Sequence, residues 1–397
     1  MKAGWRLVPL GEVCQVIGGG TPPKNIAKYY EGKIPWATVR DMRSETITET
    51  ECNITIEAVK GSATNIIPAG NVVIATRVGL GKVCLLAQDT AINQDLRGIV
   101  PIDLKTISIR FLFYWLKSVS QLIVAEGTGA TVQGVKLPFV KSLQIPVPSL
   151  AEQRRIVAIL DEAFDGIATA KANAEKNLQN ARAIFESHLQ SVFTEKAKKW
   201  PDRLLGDVFH IGSSKRIYET DWTAQGVPFF GGREIVKLAK YGSVQSASFI
   251  SEEKYQEYAS KYEMPQAGDI LMTARGTIGV GYIVKPGDKF YYKDGNVISL
   301  RAKNPSNPQF VLYAFRSNAI LDQLTVLVGT TVSHLPIEKA KMLKIFMPTF
   351  EVQNFIVEHL EMMEAHSKEL ESIYKQKLAA LNELKKSLLH QAFSGAL

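Results

Sequence analysis

Two stretches of this chain carry residues at alternating three- and four-residue steps, of which eight in ten are apolar in each, counting Tyr374. The first runs through Ile156, Leu160, Ala163, Ile167, Ala170, Ala174, Asn177, Ala181, Ile184 and His188. The second runs through Ile356, Leu360, Met363, Ser367, Leu370, Tyr374, Lys377, Leu381, Leu384 and Leu388. This spacing keeps one face of a helix apolar over many turns, and it predicts two long helices that pack on each other as a coiled coil. The first seam is rich in alanine and the second in leucine, so small residues facing large ones let the axes approach closely. Ser149 and Thr349 each follow a proline and are the expected N-caps, with Ser149-x-x-Glu152 fitting a capping box. Val352 stands where the second copy would need that glutamate, which predicts a weaker cap there.

The segments before and between these helices show a different rhythm. NVVIAT (71–76) and DILMTA (269–274) are short β-rich runs, each with Ala-Gly just before it as a turn signal. A shorter helix is expected near 109–124, with a counterpart near 308–324. The parallels extend along the whole chain. LGEV at Leu10 matches LGDV at Leu205, and IPWATVRDM at Ile34 matches VPFFGGREI at Val227. PAGNVVIATRVGLG at Pro68 matches QAGDILMTARGTIG at Gln266, GATVQGV at Gly129 matches GTTVSHL at Gly329, and IPVPSLAEQRRIV at Ile145 matches IFMPTFEVQNFIV at Ile345. A repeat this long is a duplicated domain-plus-helix cassette, not a solenoid unit. The expected fold class is α+β: two globular mixed domains at 1–147 and 199–347, and two helical segments at 148–198 and 348–397. Connectivity makes an antiparallel helix pair the simplest arrangement. Helices of about 44 residues run roughly 66 Å, with a domain at each end and a pseudo-twofold axis across the pair.

Composition narrows the class. With 397 residues and 46% hydrophobic content, each domain can build a core. The start, MKAGWRLVPLGEV, lacks the apolar stretch of a signal peptide, and no run is long and apolar enough to span a membrane. Cys14, Cys52 and Cys84 have no CxxC spacing, which reads as a reduced cytosolic protein with buried thiols. The net charge is +8. The basic excess lies in the globular parts and the helical segments are slightly acidic, as contact with DNA phosphates would need.

Catalytic signatures are missing. There is no GxxxxGK[ST] loop, and TPPK (21–24) is not the [DNS]PP[YFW] motif of amino-methyltransferases. GTIGVG (276–281) reads as turn chemistry, and His359 and His366 read as solvated helix residues. Asp202 with Glu252 and Glu253 has no equivalent in the first cassette and is set aside as a metal site.

The residues expected to touch DNA sit at repeated positions of the globular parts. Arg40 and Arg233 each follow a Pro-aromatic strand, and Arg77 and Arg275 each end a strand and enter a Gly-rich turn. An arginine there can fork onto guanine or onto a phosphate. For Arg40 and Arg233, an internal ion pair with the adjacent Asp41 or Glu234 is an equal alternative. The loops GGGTPPK (18–24), with Lys24, and GSSKR (212–216), with Lys215 and Arg216, can offer backbone N–H groups to a phosphate. Thr38 is a further candidate. In the loops 127–136 and 329–335, Thr128, Thr131, Gln133, Lys136, Thr330, Thr331, Ser333 and His334 supply small polar groups for base edges. The scaffold residues repeat while these loop residues differ. Unlike readers on like scaffolds imply an asymmetric, interrupted target in duplex DNA, with the helices setting the gap.

Taken in order and twice over, these motifs resemble the specificity (S) subunit of type I restriction-modification systems. The resemblance rests on the LGEV/LGDV openings, PAGNVVIATR/QAGDILMTAR, the two P-x-x-x-x-Q helix entries and the terminal LKKSLLHQAFSG (384–395). The departures are Val352 and the shortened glycine turn after Arg77. The resemblance implies two target recognition domains and no catalysis, cofactor or metal in this chain. It also implies that the helices at 150–193 and 350–393 dock two methyltransferase (M) subunits, which bring S-adenosylmethionine and methylate adenine at N6. Nuclease-translocase (R) subunits would join them to cut unmethylated DNA. Ile156, Leu160, Ile167, Ile184, Ile356, Leu360, Leu370, Leu381, Leu384 and Leu388 are then the helix-pairing and docking positions. The competing readings are a self-contained methyltransferase or nuclease, and an architectural coiled-coil protein that binds DNA without sequence preference.

Overall fold

A computed structural model of the chain describes residues 4–127, 134–328 and 334–397. Two compact units divide it: one holds residues 1–175 and 375–397, the other 176–374. The two long helices, Leu150–Thr194 and Phe350–Ser394, are 45 residues each, and each contributes to both units.

In the first unit the outermost strands of the globular part, Arg6–Pro9 and Gln144–Val147, pair antiparallel and close it where the long helix leaves. Among the described residues, a five-stranded sheet has the order Cys14–Gly18, Leu96–Pro101, Val72–Ala75, Val83–Leu86, Thr46–Ile47. A four-stranded sheet has the order Cys52–Ile54, Ile34–Ala37, Thr90–Ile92, Asn65–Ile67. The expected strand at 71–76 is therefore present as Val72–Ala75, buried throughout.

The core forms around the helix Ile109–Ser118. Phe111 through Leu116 are all buried, so this helix needs apolar cover around most of its girth, with Arg110 and Lys117 marking its one polar edge. Val72, Ile74 and Ile99 of the sheet cover it on one side. Ile156, Leu160, Phe164 and Ile167 of the first long helix, with Leu389 and Ala392 of the second, complete the cover. Each such side chain contributes about 1.5–3 kcal/mol by leaving water.

The second unit repeats the plan. Asp202–Leu204 pairs with Lys344–Phe346, and a sheet of Phe209–Gly212, Val297–Ala302, Ile270–Thr273 and Gly281–Ile283 packs on the buried helix Pro308–Phe315. Phe185 and Leu189 of one long helix and Ile356 and Leu360 of the other cover that helix. In each unit the start of one long helix thus lies beside the end of the other, which is the antiparallel pairing expected.

The helices expected near 109–124 and 308–324 are each broken in two. Ser120–Ala125 follows Ile109–Ser118, and Asn318–Val328 follows Pro308–Phe315. At both breaks a serine bonds back into the preceding turn: Ser118 Oγ donates to Trp115 O (2.7 Å) and Ser317 Oγ to Ala314 O (2.6 Å). That bond competes with the helix ladder and bends the chain.

Five expected seam residues are not in the seam, the polar Asn177 and Lys377 among them. Ile184 (54% exposed), Leu370 and Leu384 face outward, while Ile156, Leu160, Ile167, Ile356 and Leu360 are buried and Leu381 and Leu388 half-buried. The buried face of the first helix runs instead through Phe164, Ile167, Ala174, Ala181, Phe185 (3% exposed), Leu189 and Val192. The 3-4 rhythm is right and its phase is one residue off at every second position. The cause is the domain. Phe164 meets Tyr114 and Phe185 meets Tyr313, at ring centroid distances of 5.4 and 6.1 Å. The helix is turned to bury these aromatics against the domain helix as well as against its coil partner. The expectation of buried thiols also needs correction, because Cys52 is exposed. Burial pushes the Cys14 thiol up to about 12 and the Cys84 thiol to about 11.

Candidate nucleic-acid interface

In the first unit, Lys24, Thr38 and Arg40 come together around a cavity of about 630 Å³, with Trp36 in its wall and Gln94 at its edge. The local sequence explains the placement. After the strand Ile34–Ala37, Thr38 caps the 3-10 turn Val39–Asp41. The Asp41 carboxylate is buried and accepts from Thr38 N (2.7 Å), Thr38 Oγ1 (3.0 Å) and Glu51 N (2.8 Å). It is therefore a capping group and not the partner of Arg40, which settles that alternative. Arg40 points outward with its side chain 83% exposed, and the nearest carboxylate is Glu51 at 3.9 Å. Such a screened, exposed pair is worth little and yields readily to a better anion. Thr38 spends its hydroxyl on the turn, so its part is to hold Arg40 in place.

The glycine-rich loop has a different task from the one expected. A Cβ on Gly19 would lie 2.1 Å from Asn93 O, and one on Gly20 2.6 Å from Ala63 C. Gly20 N donates to Ile92 O (3.0 Å), and Gly20 O accepts from Trp36 Nε1 and Thr64 Oγ1. These glycines allow close backbone packing, and the Gly20 N–H is used up internally. Lys24, exposed at the end of the loop, remains a candidate for contact.

Arg77 lies 3.6 Å from Asp95 and is half-exposed. Arg97 Nη1 donates to Gln94 O (2.8 Å), so two arginines fix the loop that presents Gln94. Gln94 is not among the residues that the repeat singles out, yet it lines this cavity. An Asn-Gln-Asp run between two strands, replaced by Lys293-Asp294-Gly295 in the second copy, was the available signal. Within the last residues of the loop expected at 127–136, Val135 N donates to Thr76 O, which places Gly134 beside Arg77. Lys136 is exposed where the helix Leu137–Ser142 begins. Thr128, Thr131, Gln133, Thr330, Thr331 and Ser333 lie outside the described residues.

In the second unit the 3-10 turn is replaced by a full helix, Gly232–Tyr241. Glu234 caps it by accepting from Gly231 N (2.9 Å). The acidic neighbour is again a cap, and Arg233 is again exposed, with no ion pair among the described residues. Arg275 is exposed and pairs through its backbone with His334, so those two candidates are neighbours. The Lys215–Arg216 loop is pinned: Ser214 Oγ donates to Tyr292 O (2.5 Å), and Lys215 N donates to the Tyr291 hydroxyl (2.9 Å). Lys215 Nζ sits 5.3 Å from the centre of the Tyr262 ring, and Arg216 pairs with Asp294 at 2.9 Å. Lys293, which the repeat does not single out either, lies over Trp222. This basic and aromatic surface differs in kind from the cavity in the first unit.

No helix among the described residues is long and apolar enough to cross a membrane. A family model described as the type I restriction modification DNA specificity domain matches residues 2–179 and 197–382. The chain is 27% identical over 279 residues to the type I restriction enzyme MjaIX specificity subunit of Methanocaldococcus jannaschii, covering 65% of this chain and 63% of that one. It is 36% identical over 168 residues to the EcoR124I/EcoR124II specificity subunit of Escherichia coli, covering 41% of each. The chain therefore spans less than two thirds of the length of these two relatives. A chain from a solved type I R-M system superposes with a TM-score of 0.75 at 20% identity, covering 100% of this chain and 99% of that one, which shows a shared fold. With two matched copies that take in both candidate surfaces, the chain belongs to the type I restriction modification DNA specificity domain family.

Proposed function

We propose that this protein is the sequence-reading subunit of a type I restriction-modification assembly. Each globular domain reads one half of a bipartite, asymmetric duplex target. The long helices set the gap between the halves and dock two methyltransferase subunits. Those subunits bring S-adenosylmethionine and methylate adenine; nuclease-translocase subunits join them, and the assembly works in the cytoplasm. This chain itself performs no covalent step and holds no cofactor.

One observation carries this reading. The same acidic cap follows the same strand in both domains and leaves the same arginine, Arg40 or Arg233, exposed, while the surrounding surfaces differ. A constant scaffold with a variable surface suits two unlike half-sites, since base contacts specify and scaffold contacts only position. The test is selection of binding sites from random duplexes by the protein assembled with its methyltransferase. The expected result is a consensus of two unlike half-sites with a fixed gap. Binding without preference would instead support an architectural protein, and methyl transfer by this chain alone would overturn the non-catalytic reading.

A further inference from the structure

A second concavity in the first unit, of about 680 Å³, lies between the globular part and the end of the second long helix. Arg43, Lys82, Lys117, Lys385 and Lys386 line it, and among the described residues Glu383 is its only lining carboxylate. Below them, Glu45 bonds Lys117 and also reaches Lys385 at 3.3 Å, so one carboxylate holds two ammonium groups in place. Lys117 is further seated against the Phe113 ring (4.9 Å) and Lys385 against the Phe164 ring (4.6 Å). Lys82 is exposed and meets only a backbone carbonyl, Met42 O at 3.4 Å. Lys386 pairs with Glu383 at the surface, both side chains 70% exposed, a contact that exchanges easily.

Packing does not require this charge. In the ungapped repeats, Lys82 falls on Val280, Lys385 on Phe185, Lys386 on Glu186 and Lys117 on Arg316. In the second unit Arg316 is held by two carboxylates, Glu186 at 2.8 Å and Glu364 at 3.0 Å. The same place in the fold thus holds one cation between two anions in one unit, and two cations around one anion, with Lys82 and Lys386 added, in the other. The basic cleft also adjoins the reading cavity, because Arg43 Nε donates to Arg40 O (3.0 Å) and both arginines approach Glu51.

We infer that this cleft binds DNA phosphodiesters next to the half-site read by the first domain, on the side facing the helices, without reading bases. The inference rests on the proposed function. Lysines are point charges that suit phosphates and carry no sequence information. Among the described residues the second unit has no equivalent, so the two flanks of the gap are held unequally.

The experiment uses the protein assembled with its methyltransferase and a duplex carrying its target. The double variant Lys82→Ala/Lys386→Ala changes only exposed side chains. Its plot of log affinity against log salt should be shallower by about 2, since each phosphate contact contributes about 0.9. Affinity should fall for target and non-target duplexes alike, with the selected consensus unchanged. Neutral methylphosphonate linkages in the gap should weaken wild-type binding beside one half-site only, and should have no added effect on the variant. An unchanged slope with wild-type recognition intact overturns the cleft and leaves the function standing. A variant that fails to assemble, while its assembled fraction binds DNA normally, also overturns it and makes the cleft a protein contact. A wild-type assembly with no gapped consensus sinks both.

Discussion

Gln153 shows how much one side chain can fix. It is fully buried at the start of the first long helix, where its Oε1 accepts from Ser108 N (2.9 Å). Its Nε2 donates to Thr106 O (2.9 Å) and Pro148 O (3.0 Å). Gln353 does the same in the second copy, bonding Asn307 N (2.9 Å) and Pro348 O (2.9 Å). Each glutamine ties the loop before the buried domain helix to the turn that launches the long helix, and so sets the angle between them. Gln153→Leu keeps the volume and leaves a buried N–H and carbonyl groups without partners. The expected cost is about 1–3 kcal/mol per unsatisfied group, read as a lower midpoint of urea unfolding; an unchanged midpoint would show that the tie is dispensable. In the sequence the two glutamines were visible as part of a repeated phrase, but their burial was not, because polar residues at a helix start ordinarily face water. Asp41 was hidden for the same reason. Its adjacency to Arg40 suggested an ion pair, and only the backbone turn directs the two side chains apart.

At the scale of elements, the hydrophobic rhythm made both long helices legible with bounds within a residue or two. It did not show that each helix serves two neighbours at once. A strict coiled-coil seam needs a narrow stripe, whereas a helix that also covers a domain needs a wider one. Ile184 and Phe185 differ by one position and have opposite fates. Phe185→Ala should destabilise the second unit by about 3–5 kcal/mol, and Ile184→Ala by well under 1 kcal/mol. Equal effects would contradict the phase described above. The domain also grips the helix through polar groups. Glu364 accepts from Arg316 (3.0 Å) and from the Tyr313 hydroxyl (3.2 Å), as Asp161 accepts from Arg110 (2.8 Å) in the first unit. Burial pushes the Glu364 carboxyl up, but Arg316, Lys368 and Tyr313 together hold it below its ordinary 4.5. A depressed folded-state value means stability that is fully present above the unfolded value and lost as pH falls through the folded one. Unfolding midpoints should therefore drop below about pH 4.5, and Glu364→Gln should make that drop shallower while lowering the midpoint at neutral pH. A variant with the wild-type acid profile would assign the drop to other carboxylates.

For the whole molecule, the informative fact is that neither compact unit is a cassette. Each draws on both long helices, and each helix passes from one unit into the other between residues 175 and 176 and between 374 and 375. The duplication was plain in the sequence because turns, caps and strand ends repeat in order. The exchange of helix ends was not, since nothing local marks which domain a helix face will cover. It follows that the reading surfaces and the element that would set their separation can be altered independently. Seven residues advance a helix by nearly two full turns, so a heptad keeps each apolar face pointed as before to within about 20°. Heptads inserted in both helices at these two crossings leave every contact within each unit in place. On the proposed function, the selected DNA consensus should keep both half-sites and lengthen its gap. An insertion in one helix alone should cripple assembly, because the paired faces fall out of step. A changed half-site after the double insertion would mean that the helices take part in base reading, and the separation of scaffold from reader would be wrong.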